Sequence, residues 1–144
     1  MAVQTQFTYF DEAQKQLALY GAATSILFGG AYFAVPRITG KAWLSPLLVR
    51  SHLVLSLLGI MLLVVSLASA GAAQSHDLLD ASVPFATITA HTRDSLLGVT
   101  AAQFLLLLGN ICFLANFYGT ACEILNISQP ATFSPSSAME TPAS

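Results

Sequence analysis

Hydrophobic positions along the chain form three long runs that polar residues rarely interrupt. The runs cover residues 17–35, 53–73 and 96–118. A helix rises about 1.5 Å per residue, so roughly 20 apolar residues cross the hydrocarbon core of a bilayer. A helix of a water-soluble bundle would carry a polar stripe along its length, and these runs show almost none. The pattern predicts an all-α integral membrane protein with three transmembrane helices.

Polar segments separate the runs and follow the last of them. The loop at 74–95 carries aspartates, histidines and an arginine, and it has room for a short surface helix. The tail from Ser128 onward is rich in serine, proline and alanine and lacks periodicity, which indicates disorder. The sequence therefore predicts a transmembrane domain over residues 1–127 and a disordered tail over 128–144.

The composition agrees with a membrane protein and excludes other classes. The 144 residues are 55% hydrophobic and 8% charged, whereas soluble domains carry about a quarter charged residues. The net charge of −2 and the lack of a basic run predict no nucleic-acid partner. The first apolar run begins behind Asp11 and Glu12, and no small-residue cleavage site follows it, so a secretory signal is not predicted.

Basic residues near the ends of the runs predict the orientation. Arg37, Lys41 and Arg50 lie between the first two runs or at the start of the second, while Lys15 and Arg93 lie on the opposite side. Lys and Arg favour the cytoplasmic side of a membrane. The excess of three over two predicts that the N-terminus lies outside and the C-terminus lies in the cytoplasm.

Small and polar residues follow the faces of the first and third runs. In lipid, helices associate through close backbone contact and interhelical hydrogen bonds. An unpaired amide in hydrocarbon is costly, so Gln103 and Asn110 should face protein, where they bond a neighbouring helix or else serve a proton path or a cofactor. The predicted packing residues are Gly21, Ser25, Gly29, Gly30, Gly98, Ala102, Gln103, Gly109, Asn110 and Asn116.

The residues that bind metals elsewhere do not form a recognisable site here. Cys112 and Cys122 have no further cysteine or histidine at metal spacing, which predicts neither a zinc site nor a disulfide. His52 lies near the start of the second helix, where we expect it to form an interfacial hydrogen bond, and His76 and His91 lie in the following loop. A haem needs an axial histidine inside the bundle, so no haem is expected on this chain alone.

Residues 13–40 resemble one helix of the haem-copper oxidase subunit I family. The stretch reads AQKQLALYGAATSILFGGAYFAVPRITG. The family helix opens with Ala-His-x-His and ends in a Pro-Lys/Arg-x-x-Gly turn. Pro36 follows Gln16 by twenty residues, which is the family spacing from the second histidine to the proline, and Gly30 and Tyr32 fall in register.

The following helix continues the resemblance. LLVRSHLVLSLLGI is similar to the family motif Leu-x-x-x-His-Phe-Trp-Leu-x-x-x-Gly, with His52 and Gly59 in place and Leu53-Val54 instead of Phe-Trp.

The third run resembles the last helix of the cbb-type cytochrome c oxidases. That helix starts with Arg-x-x-Gly-Gly and ends with Asn-Leu-Trp-x-Thr, which compare with Arg93, Gly98 and the NFYGT stretch at 116–120. One glycine of the start is missing here. The resemblance covers about residues 7–122 and implies the C-terminal three helices of a truncated subunit I.

The same resemblance places two glutamines at haem-ligand positions. Gln14 takes the place of the ligand of the high-spin haem, which faces copper, and Gln16 takes that of the low-spin haem. An amide is a poor iron ligand, and Lys15 adds a charge between the two. The family's copper ligands and reactive tyrosine belong to earlier helices that this sequence lacks. The resemblance therefore implies no catalytic residue, no metal site and no cofactor bound by this chain alone.

Three functions are compatible with these observations. The first is a non-catalytic membrane subunit of a cbb-type respiratory complex in the bacterial inner membrane, where other membrane subunits would hold any haem. The second is a split enzyme in which this chain completes a shortened subunit I. The third is a stand-alone membrane scaffold or assembly protein.

Overall fold

Three long helices make up most of the chain. The computed structural model describes residues 8–80 and 82–127, with side chains to residue 125. Helix α1 covers Tyr9–Thr39, α2 covers Pro46–Leu78 and α3 covers Phe85–Ile127. Each is long and apolar enough to cross a membrane. The predicted all-α integral membrane protein with three transmembrane helices is confirmed, whereas the predicted disordered tail lies outside the described residues.

The connection between α2 and α3 is much shorter than the predicted loop at 74–95. Both helices continue into that segment, so the expectation of a separate surface helix is wrong. Near the end of α2, Oδ2 of Asp77 accepts a hydrogen bond from Nδ1 of His91 on α3 at 2.8 Å. Polar composition marks the edge of the membrane, but a helix can continue beyond it with its backbone hydrogen bonds intact.

An aspartate organises the remaining turn between these helices. The Oδ1 of Asp80 accepts hydrogen bonds from the backbone N–H of Ser82 at 2.9 Å and from its hydroxyl at 2.6 Å. These bonds stabilise the ionised carboxylate and hold the pKa of Asp80 below its usual value. Pro84 follows, and its carbonyl accepts from Thr87 at 2.9 Å to begin α3.

Helices α2 and α3 pack against each other through small residues. A Cβ added at Gly59 would lie 2.8 Å from the side chain of Leu106, and one at Gly109 would lie 3.2 Å from the hydroxyl of Ser56. Gly98 likewise contacts Ser66, and Ala102 is completely buried. The small residues of the third run therefore face α2, where they let the two backbones approach closely.

Helix α1 packs on α2 mainly through its first two turns, Tyr9–Gln16. The backbone of Phe10 lies against Gly71, and the N–H of Tyr9 donates to Oε1 of Gln74 at 3.2 Å. Leu17–Thr24 then forms a π-helix, which is usually a feature of short functional or strained segments. Beyond it, the backbone of α1 stands away from the other helices, and longer side chains bridge the gap.

The turn between α1 and α2 is fixed by side chains of α3. Gly40 ends α1 in the left-handed conformation, with φ of +67°. The N–H of Ser45 donates to Oδ1 of Asn116 at 2.9 Å, and Nδ2 of the same amide donates back to the carbonyl of Ser45 at 3.2 Å. The N–H of Leu44 donates to the hydroxyl of Thr120 at 3.1 Å. The end of α3 thus satisfies two backbone N–H groups that this turn would otherwise leave unpaired.

Candidate functional site

A polar cavity of about 430 Å³ lies where the first turns of α1 cross α2 and α3. Its polar side chains come from two helices, namely Glu12, Gln16 and Tyr20 on α1 and Gln103 and Asn110 on α3. Its apolar wall consists of Leu63, Leu67, Val99, Leu106 and Leu107. A carboxylate and three amides therefore meet between helices that are long and apolar enough to cross a membrane.

The two glutamines at the resembling haem-ligand positions have different surroundings. Nε2 of Gln16 donates to Oε1 of Glu12 at 2.7 Å, one turn earlier, while its own Oε1 is buried without a hydrogen-bond partner among the described residues. Gln14 is exposed, because two residues along a helix turn a side chain to a different face from that of Gln16. Lys15 between them is also exposed and forms an ion pair with Asp11 at 2.8 Å. Only Gln16 contributes to the cavity.

The two amides of α3 line the same cavity and remain exposed. Gln103 and Asn110 lie seven residues apart, which places them on one stripe of the helix. Neither makes a hydrogen bond within the part of the chain that the structure describes. The two amides therefore form no hydrogen bond to another described helix of the same chain. Their role in packing stays a prediction.

A second polar group lies deeper, among aromatic rings. His52 of α2 is 1% exposed, and its Nδ1 is 2.7 Å from the hydroxyl of Tyr32 on α1. The rings of Phe28 and Phe113 lie 4.6 and 5.5 Å from the imidazole, and Nε1 of Trp43 donates to the carbonyl of Tyr32. The sequence predicted a hydrogen bond for His52, but neither its burial nor Tyr32 as its partner.

The imidazole also has one atom without a partner. Nε2 of His52 is buried and makes no hydrogen bond to any described residue. His52 borders a smaller cavity of about 310 Å³, together with Ser25, Gly29 and Ser56. The wall of this cavity is otherwise apolar, so it offers one imidazole nitrogen and two hydroxyls at most to any occupant.

The glycines predicted as packing residues of the first helix differ in their surroundings. Gly21 lies 3.9 Å from the side chain of Ile60, measured from an added Cβ. The positions of Gly29 and Gly30 are different, because no described atom comes within 4 Å of a Cβ added at either one. Free space therefore lies beside the backbone of α1 at both glycines, and at Gly29 this space is part of the cavity next to His52.

The donor atoms of these sites do not fit a haem or a metal ion. The position that resembles the low-spin haem ligand holds an amide bonded to Glu12, and the imidazole of His52 lies outside the polar cavity. The described residues contain no group of three histidine, cysteine or acidic side chains that could hold a metal ion, and Cys112 and Cys122 are free thiols. Haem iron is bound through imidazole, thiolate, thioether or phenolate, none of which lines the polar cavity except the phenol of Tyr20.

Comparison with known proteins identifies one family. A family model described as "Cytochrome C and Quinol oxidase polypeptide I" matches residues 1–94. No curated protein and no solved structure matches the chain. The matched region includes all of α1 and α2, and with them Gln16, His52 and the turn that Asn116 holds.

Proposed function

Because the chain belongs to the cytochrome c and quinol oxidase polypeptide I family, we propose that it is a non-catalytic membrane subunit of a haem-copper oxidase-like complex. The proposal rests on the side chain of Gln16 and its surroundings. Its amide stands at the position resembling a haem ligand, donates to Glu12 at 2.7 Å and faces a polar cavity. The helices that frame a haem in the family are kept here, while the chemistry that binds iron is replaced.

The proposal extends to the type of complex and to the orientation in the membrane. The cbb type is favoured because Arg93, Gly98 and Asn116 resemble the last helix of that group. In the bacterial inner membrane, the α1–α2 turn with Arg37 and Lys41 would face the cytoplasm under the positive-inside rule. Any haem would then belong to the partner subunits.

The surface we assign to the partner is the open side of α1 around Gly29 and Gly30. Both glycines have free space above them, and small residues permit close approach of a second helix in lipid. Exposed apolar side chains flank them, including Ile26 at 75% and Phe33 at 65% exposure. A helix of the complex packing here would contact both the glycines and these side chains.

The first test is the haem content of the purified chain. We expect the tagged protein, expressed with ample haem and purified in mild detergent, to give no pyridine haemochrome signal above background. The Gln16→His variant provides an imidazole at the proposed position and shows whether the assay detects a restored site. Stoichiometric haem on the unchanged protein would contradict the proposal, and a His52→Ala variant would show whether that imidazole was responsible.

The second test is assembly in native membranes. The Gly29→Leu/Gly30→Leu variant should lose co-purification with oxidase subunit I and c-type cytochromes by about tenfold, because two leucines prevent close helix contact. Its stability in detergent should not fall, since no described atom lies near either glycine. Ala115→Leu is the control, because it adds bulk at an exposed position of α3.

The outcome also separates the proposed role from the alternatives. If the double variant recovers the oxidase subunits as well as the unchanged protein does, the surface around Gly29 and Gly30 is not where they bind. Failure of the original protein to recover any oxidase subunit would favour a stand-alone scaffold.

A further inference from the structure

One side of α3, at the edge of the polar cavity, carries a regular pattern of residues that remain exposed. Six residues recur at alternating spacings of three and four, and all six are exposed. This is the a/d pattern of a helix that packs against another along a left-handed seam. We call it the amide seam, and it consists of Thr100, Gln103, Leu107, Asn110, Leu114 and Phe117.

The two amides give this seam an unmet requirement for hydrogen bonds. Gln103 and Asn110 occupy equivalent positions one heptad apart, and neither has a partner among the described residues. They lie within one of the three membrane-spanning helices, where water is scarce and polar side chains seek protein partners. The occupant of the seam must therefore bring hydrogen-bonding groups at the same seven-residue spacing.

We propose that a second copy of this chain packs along the amide seam, parallel and in register. Copies inserted in the same orientation are related by a twofold axis normal to the membrane, so identical helices meet in parallel. Each amide then lies opposite the same amide of the second copy. A carboxamide is both donor and acceptor, so each pair is self-complementary.

Other features of α3 agree with this occupant. No charged residue lies between Asp94 and Glu123, so two copies of the spanning segment do not repel each other within the membrane. Leu107 and Leu114 alternate with the amides and provide apolar contact across the axis. A different partner would need two polar residues at matching positions, whereas a second copy supplies them by symmetry. The inference does not depend on the proposed subunit role, because the α1 surface around Gly29 is separate from this seam.

Cross-linking in native membranes tests this arrangement. In a Cys112→Ser/Cys122→Ser background, we introduce Leu107→Cys on the seam and, as a matched control, Leu108→Cys, which is exposed but turned about 100° around the helix. A short bifunctional maleimide should link Leu107→Cys into a homodimer and leave Leu108→Cys monomeric. Equal linking at both positions, no homodimer, or linking of Leu107→Cys only to another protein would each overturn the proposal.

The role of the amides is measured in the same background. Adding Gln103→Leu and Asn110→Leu to Leu107→Cys should lower the association constant, obtained by dilution in lipid, by about tenfold. Both changes make α3 more apolar, so they preserve membrane insertion, and the fluorescence of Trp43 verifies that the α1–α2 turn is intact. An unchanged association constant would overturn the assignment of the amides as the groups that hold the dimer.

Discussion

Replacing Gly71 with alanine is expected to lower the free energy of unfolding by about 2 kcal/mol, because the added methyl group collides with backbone rather than with a flexible side chain. A Cβ at this position would overlap the backbone N of Phe10 and would lie 2.7 Å from its Cα. The first turn of α1 must then move away from α2. The measurement is unfolding in SDS from mild-detergent micelles, combined with hydrogen exchange over Tyr9–Gln16.

The matched control is the same substitution at Gly29. No described atom lies within 4 Å of the new Cβ there, so only the helix propensity changes. Alanine in place of an exposed helical glycine stabilises a helix by up to about 1 kcal/mol. The two Gly→Ala changes should therefore have opposite signs. Equal effects, or faster exchange confined to residues far from α1, would show that Gly71 is not the contact that holds α1 on α2.

The helices were predictable from the sequence because their signal is local. Three uninterrupted apolar runs of sufficient length leave few alternatives in a membrane, and the structure contains helices over all three. The edges of the runs did not predict where the helices end. The segment at 74–95 is polar, and composition alone could not show that both helices continue into it and meet through Asp77 and His91.

The polar contacts were much less predictable, because they join residues that are distant in sequence. The spacing of small residues indicated packing faces, but it could not show that Gly98 and Gly109 contact α2 while Gly29 and Gly30 have free space beside them. Nothing local to His52 indicates that Tyr32, twenty residues earlier, would bond it. The π-helix at Leu17–Thr24 also has no signal in the hydrophobic pattern.

Two asparagines on α3 illustrate the same limit. Asn110 and Asn116 are both among the predicted packing residues. In the structure Asn116 is completely buried and bonds both backbone groups of Ser45, whereas Asn110 is exposed and bonds no described residue. Residue type and hydropathy are identical for the two positions, so only the path of the α1–α2 turn distinguishes them.

That difference leads to the last prediction. Asn116→Leu should lower the free energy of unfolding by about 3 kcal/mol, because it leaves the N–H of Ser45 without its partner and removes one of the two hydrogen bonds to the carbonyl of Ser45, which keeps only that from Val49. Leucine has the same branching as asparagine and is larger, so no cavity forms, and the lost hydrogen bonds together with crowding at this buried position cause the effect. The chain has a single tryptophan, Trp43, located in the affected turn, and its emission should shift to longer wavelength as the turn opens to water.

Asn110→Leu provides the comparison, measured in excess detergent so that copies of the chain remain apart. It removes the same side chain from the same helix, but no hydrogen bond within the described chain is lost, so the free energy of unfolding should change by less than about 0.5 kcal/mol. Trp43 emission should also stay unchanged. If both variants destabilise the chain equally, the cost arises from placing leucine on α3 and not from the bond between Asn116 and Ser45. If only Asn116→Leu does so, α3 stabilises the fold by closing the first turn.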